Sequence, residues 1–140
     1  MRERLIKSRL IVFCCLLSAA VISAGGYPHA AAKPDAAQFE TRCGWFDNPT
    51  PANVSLYDRE GQWVIGSQGG HQLEDLWERP KFTPRQWVAT NGHYGYGCAC
   101  LRLRVDKETG RVLEARAGRA RPLTVCRRDR ALKRWKRLFK

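Results

Sequence analysis

The sequence predicts a mainly β domain of the α+β class: a small antiparallel sheet of hairpins with a C-terminal helix, stapled by disulfides. Three observations carry this expectation. Residues 98–105 alternate between two faces, the period-two mark of a half-buried strand. Short runs rich in β-branched and aromatic residues are punctuated by turn residues, as at Asp58–Gly61 and Asn91–Gly92. Four cysteines, Cys43, Cys98, Cys100 and Cys126, follow a segment that reads as an export signal, and an even number in a small exported domain reads as two disulfides.

The leader is defined by charge and size. Arg2, Arg4, Lys7 and Arg9 form a positive n-region, residues 10–26 carry no charge, and Ala30, Ala31 and Ala32 offer an A-x-A cleavage site before Lys33. Cleavage there leaves about 108 residues, enough for one domain. An uncleaved membrane anchor is the alternative, because the apolar run of about 17 residues reaches the lower limit for a spanning helix. Either way the remainder faces an oxidising space, periplasmic or secreted in the first case. Cys14 and Cys15 lie inside the apolar run, and Phe13 occupies the place where a lipoprotein needs a small residue.

The expected layout is a signal over residues 1–32, a disordered lead-in over 33–41, a stapled β domain over 42–126 and a basic helix or tail over 127–140. Residues 25–41 are rich in Gly, Ala and Pro. Asn48-Pro49-Thr50-Pro51 reads as an extended turn, since two prolines remove backbone donors. Residues 53–57 and 62–66 form a hairpin about Asp58–Gly61, with Trp63 and Ile65 on one face. Residues 67–85 read as loop, with a helical turn around 73–78, and 86–89 as a short strand before the Asn91-Gly92 turn. Gly95 and Gly97 leave the backbone permissive beside Tyr96. In 98–105, Ala99, Leu101, Leu103 and Val105 face the core. Cys98 and Cys100 lie covered on the other face, and Arg102 and Arg104 lie toward its wet end. Residues 106–110 turn into a partner strand over 111–117. Pro122 ends that region, and Thr124 is placed to cap a helix over 125–139.

Cys98 and Cys100 stand roughly 6.5–7 Å apart on one strand face, too far for an unstrained bond to each other. One therefore pairs with Cys43 and the other with Cys126, in either combination. Each bond closes a loop worth about 3–4 kcal/mol in the chain-entropy model. Zinc held by Cys98, Cys100, His93 and His71 is the competing chemistry. C-x-C is not a zinc-knuckle spacing, so no metal and no cofactor is expected.

The net charge of +12 favours anionic partners. Outside the cytoplasm these are an anionic envelope polymer or a lipid surface, with an exported protein as a further partner class and no nucleic acid. Trp45, Trp63, Trp77 and Trp87 with Tyr57, Tyr94 and Tyr96 supply core rings or a sugar-binding platform beside amide groups. Trp63 and Trp87 read as core; Tyr94 and Tyr96, on a glycine-rich loop with His93, read as surface binding residues, with Trp45 beside them. In the tail, Arg134, Trp135, Lys136 and Arg137 combine cations with a ring, as interfacial helices do. Asn53-Val54-Ser55 matches a glycosylation acceptor. There is no H-E-x-x-H, no G-x-S-x-G and no phosphate-binding glycine loop. Glu74, Asp75 and Glu78 form an acidic cluster within one short segment. Binding is thus favoured over catalysis. The catalytic alternative is a small periplasmic hydrolase using His93 or His71 with a carboxylate.

The string Cys43-Gly44-Trp45-Phe46-Asp47-Asn48-Pro49-Thr50-Pro51 resembles the opening of a bacterial family described only as domain of unknown function 4087. The likeness continues through Leu56-Tyr57-Asp58, Gly61-Gln62-Trp63, Gln68-Gly69-Gly70, residues 91–100, Arg121-Pro122-Leu123 and Cys126, spanning about residues 40–132. It implies an export signal and the same four cysteines, and brings no activity or catalytic residues. The basic end beyond Leu132 lies outside it.

Overall fold

The computed structural model describes residues 38–73 and 77–140. The expected export signal, the lead-in up to residue 37, and Glu74 and Asp75 with the centre of the expected helical turn lie outside the described residues. The elements are β1 (Glu40–Thr50), β2 (Asn53–Tyr57), β3 (Gln62–Gly66), β4 (Trp87–Asn91), β5 (Tyr94–Asp106), β6 (Arg111–Arg121) and α1 (Leu123–Arg128), then a 3-10 helix over Arg130–Trp135.

The two expected hairpins are present. Asp58 Oδ1 accepts from the Glu60 and Gly61 amides (2.7 and 2.9 Å), which closes the β2–β3 turn. β5 pairs antiparallel with β6 from Asp106↔Arg111 to Cys98↔Arg121. Ala99, Leu101 and Leu103 are fully buried, whereas Arg102 is exposed. Alternation alone thus oriented this strand.

The sheet is mixed rather than wholly antiparallel. Strands run in the order β1-β2-β3-β6-β5-β4, and β1 also pairs with β5. That extra pairing closes β1, β2, β3, β6 and β5 into a partly open barrel. Its seam is the parallel β3–β6 contact, a single bridge at Val64↔Arg111. Farther along β6 the loop takes over: Glu78 bridges Ala117, and the Gly118 amide donates to the Glu78 carbonyl at 2.8 Å. β4 holds the β5 edge at Tyr94–Gly97, just before β6 takes it from Cys98.

β1 differs most from expectation. It begins at Glu40, inside the expected lead-in, and continues through Pro49. The ladder with β2 shifts register between Asp47 and Thr50, so Pro49 sits at an irregularity where its missing N–H leaves no gap. Gly44 lies just before β2 joins the second edge of β1, which stays paired with β5 as far as Asn48. A Cβ there would lie 2.0 Å from the Tyr57 carbonyl oxygen, so no other residue fits without moving the strands. Gly95 serves space rather than unusual dihedrals: its added Cβ would meet the Val88 carbonyl at 2.0 Å.

Side chains of neighbouring β1 residues point to opposite faces. Phe46 enters the barrel with Leu56, Trp63, Ile65, Leu101, Leu103 and Val112. Trp45 points outward, into a second apolar cluster with Tyr96, Cys98, Cys126, Leu132 and Phe139. The C-terminal segment covers that outer face.

The expected helix over 125–139 is instead two short pieces. α1 starts one residue after Pro122, not at a Thr124 cap, and stops at Asp129, whose backbone is extended. Asp129 Oδ1 then accepts from the Ala131 amide at 2.8 Å and starts the 3-10 helix. The break lets Cys126 reach Cys98 while Leu132 and Phe139 reach Trp45. The spacing of 132, 135 and 139 that resembles one helical face is satisfied by a kinked path over the barrel.

Candidate functional site

The disulfide pairing left open by the sequence is Cys43–Cys100 and Cys98–Cys126. Cys43 and Cys100 are directly opposite on β1 and β5, and Cys43 is exposed. Cys98 and Cys126 are buried and pin α1 to the barrel. Cys98 and Cys100 share one strand face, yet one bond runs sideways to β1 and the other outward to α1. Two disulfides in a domain this small suit an oxidising, extracellular compartment. No helix among the described residues is long and apolar enough to cross a membrane.

The outer face of β5–β6 carries a groove of about 570 Å³ lined by Arg102, Arg119, Arg121, Thr41, Glu78 and Cys100. Register explains its charge. Cys98 faces Arg121, Cys100 faces Arg119, and Arg102 faces Ala117. Three guanidiniums therefore line one surface, Arg119 and Arg121 about 7 Å apart along the strand. Among the described residues none of the three forms an ion pair. The cations that do are Arg42, Arg104, Lys107 and Arg116.

Beside this groove, a cleft of about 340 Å³ opens between the C-terminal segment and the barrel. Trp45, Cys126, Leu132 and Phe139 line its walls, with Arg127, Lys133, Lys136 and Lys140 around it and Asp129 as the one acid. Trp45 stacks on Phe139 at 5.4 Å and meets Tyr96 edge-on at 5.6 Å. The Tyr96 hydroxyl donates to the Lys140 carbonyl, and Trp135 Nε1 donates to the Asp58 carbonyl at 2.8 Å.

The residues expected to bind are not all on one surface. Tyr96, expected at the surface, is only 5% exposed and belongs to the second core; the tail covers it. Trp45, at 3% exposed, is buried too, and lines the cleft. Tyr94 is half-buried and His93 exposed, their rings 4.1 Å apart, in the β4–β5 turn. Arg134 lies over Trp135 at 4.5 Å and donates to the Arg59 and Glu60 carbonyls. Lys136 and Arg137 are exposed. His71 Nε2 donates to the Val112 carbonyl at 2.9 Å, which ties the loop to β6. Among the described residues neither histidine has a carboxylate hydrogen-bond partner. Asn53, the expected acceptor, is engaged by Thr50 and the Gln68 amide.

Sequence reasoning missed two polar centres. Arg42, 3% exposed, donates to Asp58 (2.8 Å), Glu40 (2.7 Å) and Glu60 (3.0 Å) and stacks 4.1 Å over Trp63. Burial opposes ionisation of Asp58, but donors from Gly61, Arg42 and Glu60 outweigh it and hold this carboxyl below the usual range. Asp47 is the opposite case. Burial pushes it up to about 6, and burial, then its charge, raises Tyr57.

A carboxyl raised by folding favours the fold when protonated. Its contribution is full below the unfolded value, near 3.8, and fades as pH rises through about 6. Asp58 has the reverse sign: its contribution is present above the unfolded value and lost as pH falls below that range. The melting temperature should therefore rise as pH drops from 8 to 5, then fall in stronger acid. The rise should correspond to roughly 1 kcal/mol after solvent screening of a half-buried group is allowed for. Thermal melts of Asp47→Asn across this range should lack the rise; an unchanged rise would assign it elsewhere.

The fold and its outer face define a small, disulfide-stapled β-barrel module with a cationic surface. Residues 37–133 match the family described as protein of unknown function (DUF4087). The chain belongs to that family. Neither the curated proteins nor the solved structures contain a match.

Proposed function

We propose that this chain is an exported, non-catalytic binding module of the cell envelope that recognises an anionic component, working in the periplasm or after secretion. The arginine groove on β5–β6 carries this reading. Guanidiniums are suited to phosphate and carboxylate because their planar fork donates in pairs. Here three of them face solvent from rigid strands without a described acidic partner. Such a row, roughly 7 Å apart along β6, suits a polymer bearing repeated anionic groups. The tail's lysines and arginines, which form no ion pair among the described residues, extend the same positive field.

The test is retention of the intact, disulfide-bonded protein on immobilised inorganic polyphosphate. Arg119→Gln with Arg121→Gln should weaken retention at least tenfold at low salt and flatten its salt dependence. Both residues are exposed, so the melting temperature should stay constant. Equal retention by the double variant would overturn the reading. Charge substitution is the appropriate tool here, because deletion of residues 133–140 would also remove Trp135 and Phe139 from the apolar cluster.

A further inference from the structure

The two concavities on the outer face differ in chemistry. The β5–β6 groove is lined by Arg102, Arg119 and Arg121 together with Thr41, Glu78 and Cys100. The C-terminal cleft has apolar walls, Trp45, Leu132 and Phe139, beneath lysines at its lip. A bare anion would gain nothing from those walls. Lysines suit the lip, since their methylene stems continue an apolar surface while their ammonium groups stay in water. Asp129, the single acid, already accepts from the Ala131 amide, which occupies one of its oxygens. The cleft is at the lower end of the size of small-molecule sites. Val125 and Leu138, two of the three large apolar side chains exposed among the described residues, also lie on α1 and the tail.

We infer that this cleft binds a single-chain alkyl anion, with the chain against Trp45, Leu132 and Phe139 and the head group held by Lys133, Lys136 and Lys140. The inference rests on the anion-binding reading and adds an apolar half to the ligand. It gives the two neighbouring surfaces separate tasks: the arginine groove takes charge alone, and the cleft takes charge joined to a hydrocarbon chain.

Octyl phosphate, butyl phosphate and inorganic phosphate, all as monomers, provide the test. Each is titrated into the 15N-labelled, intact, disulfide-bonded protein and read residue by residue by NMR. Octyl phosphate should shift the Trp45 indole and the Leu132 and Phe139 amides. It should bind at least tenfold more tightly than butyl phosphate, since a fully buried methylene is worth up to about fourfold. Lys133→Gln with Lys136→Gln should weaken octyl phosphate at least fivefold and leave the amide fingerprint of the barrel in place. Equal affinity for the three ligands would overturn the cleft assignment. So would octyl phosphate shifts confined to Arg102, Arg119 and Arg121. In either case polyphosphate retention sensitive to Arg119 and Arg121 would leave the broader reading standing. If neither polyphosphate nor any of the phosphates binds, both fall.

Discussion

Arg42→Ala should lower the unfolding free energy by about 3–5 kcal/mol, the range for removing one partner of a buried ion pair. Among the described residues the guanidinium is the only cation paired with Asp58 and Glu60, while Glu40 is shared with the exposed Lys107 at 3.5 Å; the guanidinium also stacks on Trp63. Without it the Asp58 carboxylate stays 4% exposed with its cation gone. Asp58 also organises the β2–β3 turn and, through its carbonyl, holds Trp135. Damage should therefore spread to the tail. Arg42→Lys keeps a charge but cannot donate along several directions at once from a planar fork, so an intermediate loss is expected. Arg42→Met with Asp58→Asn should recover part of the stability, because no buried charge is left uncompensated (Glu40 and Glu60 reach solvent) and asparagine can still accept from the turn amides. Urea unfolding followed by tryptophan fluorescence measures all three. A loss below 1 kcal/mol for Arg42→Ala would show that the cluster contributes little to the fold.

Cys98→Ser with Cys126→Ser should cost about 3.5 kcal/mol from released loop entropy alone, given a sequence separation of 28. The separation of 57 at Cys43–Cys100 gives about 4 kcal/mol by the same formula, yet the structural consequences should differ. Cys43 and Cys100 join strands that are already paired on both sides of the bond. Cys98–Cys126 is the covalent tie between α1 and the barrel. Its loss should free α1 and the tail and wet Trp45 and Tyr96, seen as faster amide exchange over residues 123–140. Loss of Cys43–Cys100 should leave that exchange slow. Accessibility separates the two bonds as well. A mild reductant should open Cys43–Cys100 first, because Cys98 and Cys126 are 1% and 3% exposed.

The parts legible in the sequence were those with local causes. β2, β3 and their turn followed from a short alternating run broken by Asp58–Gly61. The inward face of β5 followed from Ala99, Leu101, Leu103 and Val105. That Cys98 and Cys100 must each look elsewhere followed from strand geometry, but choosing between Cys43 and Cys126 needed the register of β1 on β5. β1 itself was hidden. Arg42 does not read as a buried residue until Asp58 and Glu60 are brought opposite, and Pro49 reads as a breaker until the register shift beside it is seen. The kink at Asp129 left one sign, an aspartate three residues before Leu132, but the apolar spacing of the tail fits an unbroken helix equally well. Tyr96 and Trp45 resemble surface rings only while the tail that covers them is unplaced. At the candidate site, the basic tail was visible, whereas Arg102, Arg119 and Arg121 became one surface only when β6 was paired with β5.

The crossed arrangement of the two sulfur bridges has a topological result. The loop closed by residues 43 and 100 overlaps the loop closed by residues 98 and 126. One peptide bond cut anywhere between Cys43 and Cys126 therefore leaves a single covalent molecule, since at least one bridge always spans the nick. A chain so rich in lysine and arginine offers many sites to trypsin-like proteases. Outside the cell it can be clipped once in an exposed loop and still hold its strands in register, whereas a clip beyond Cys126 sheds the lysine-bearing end.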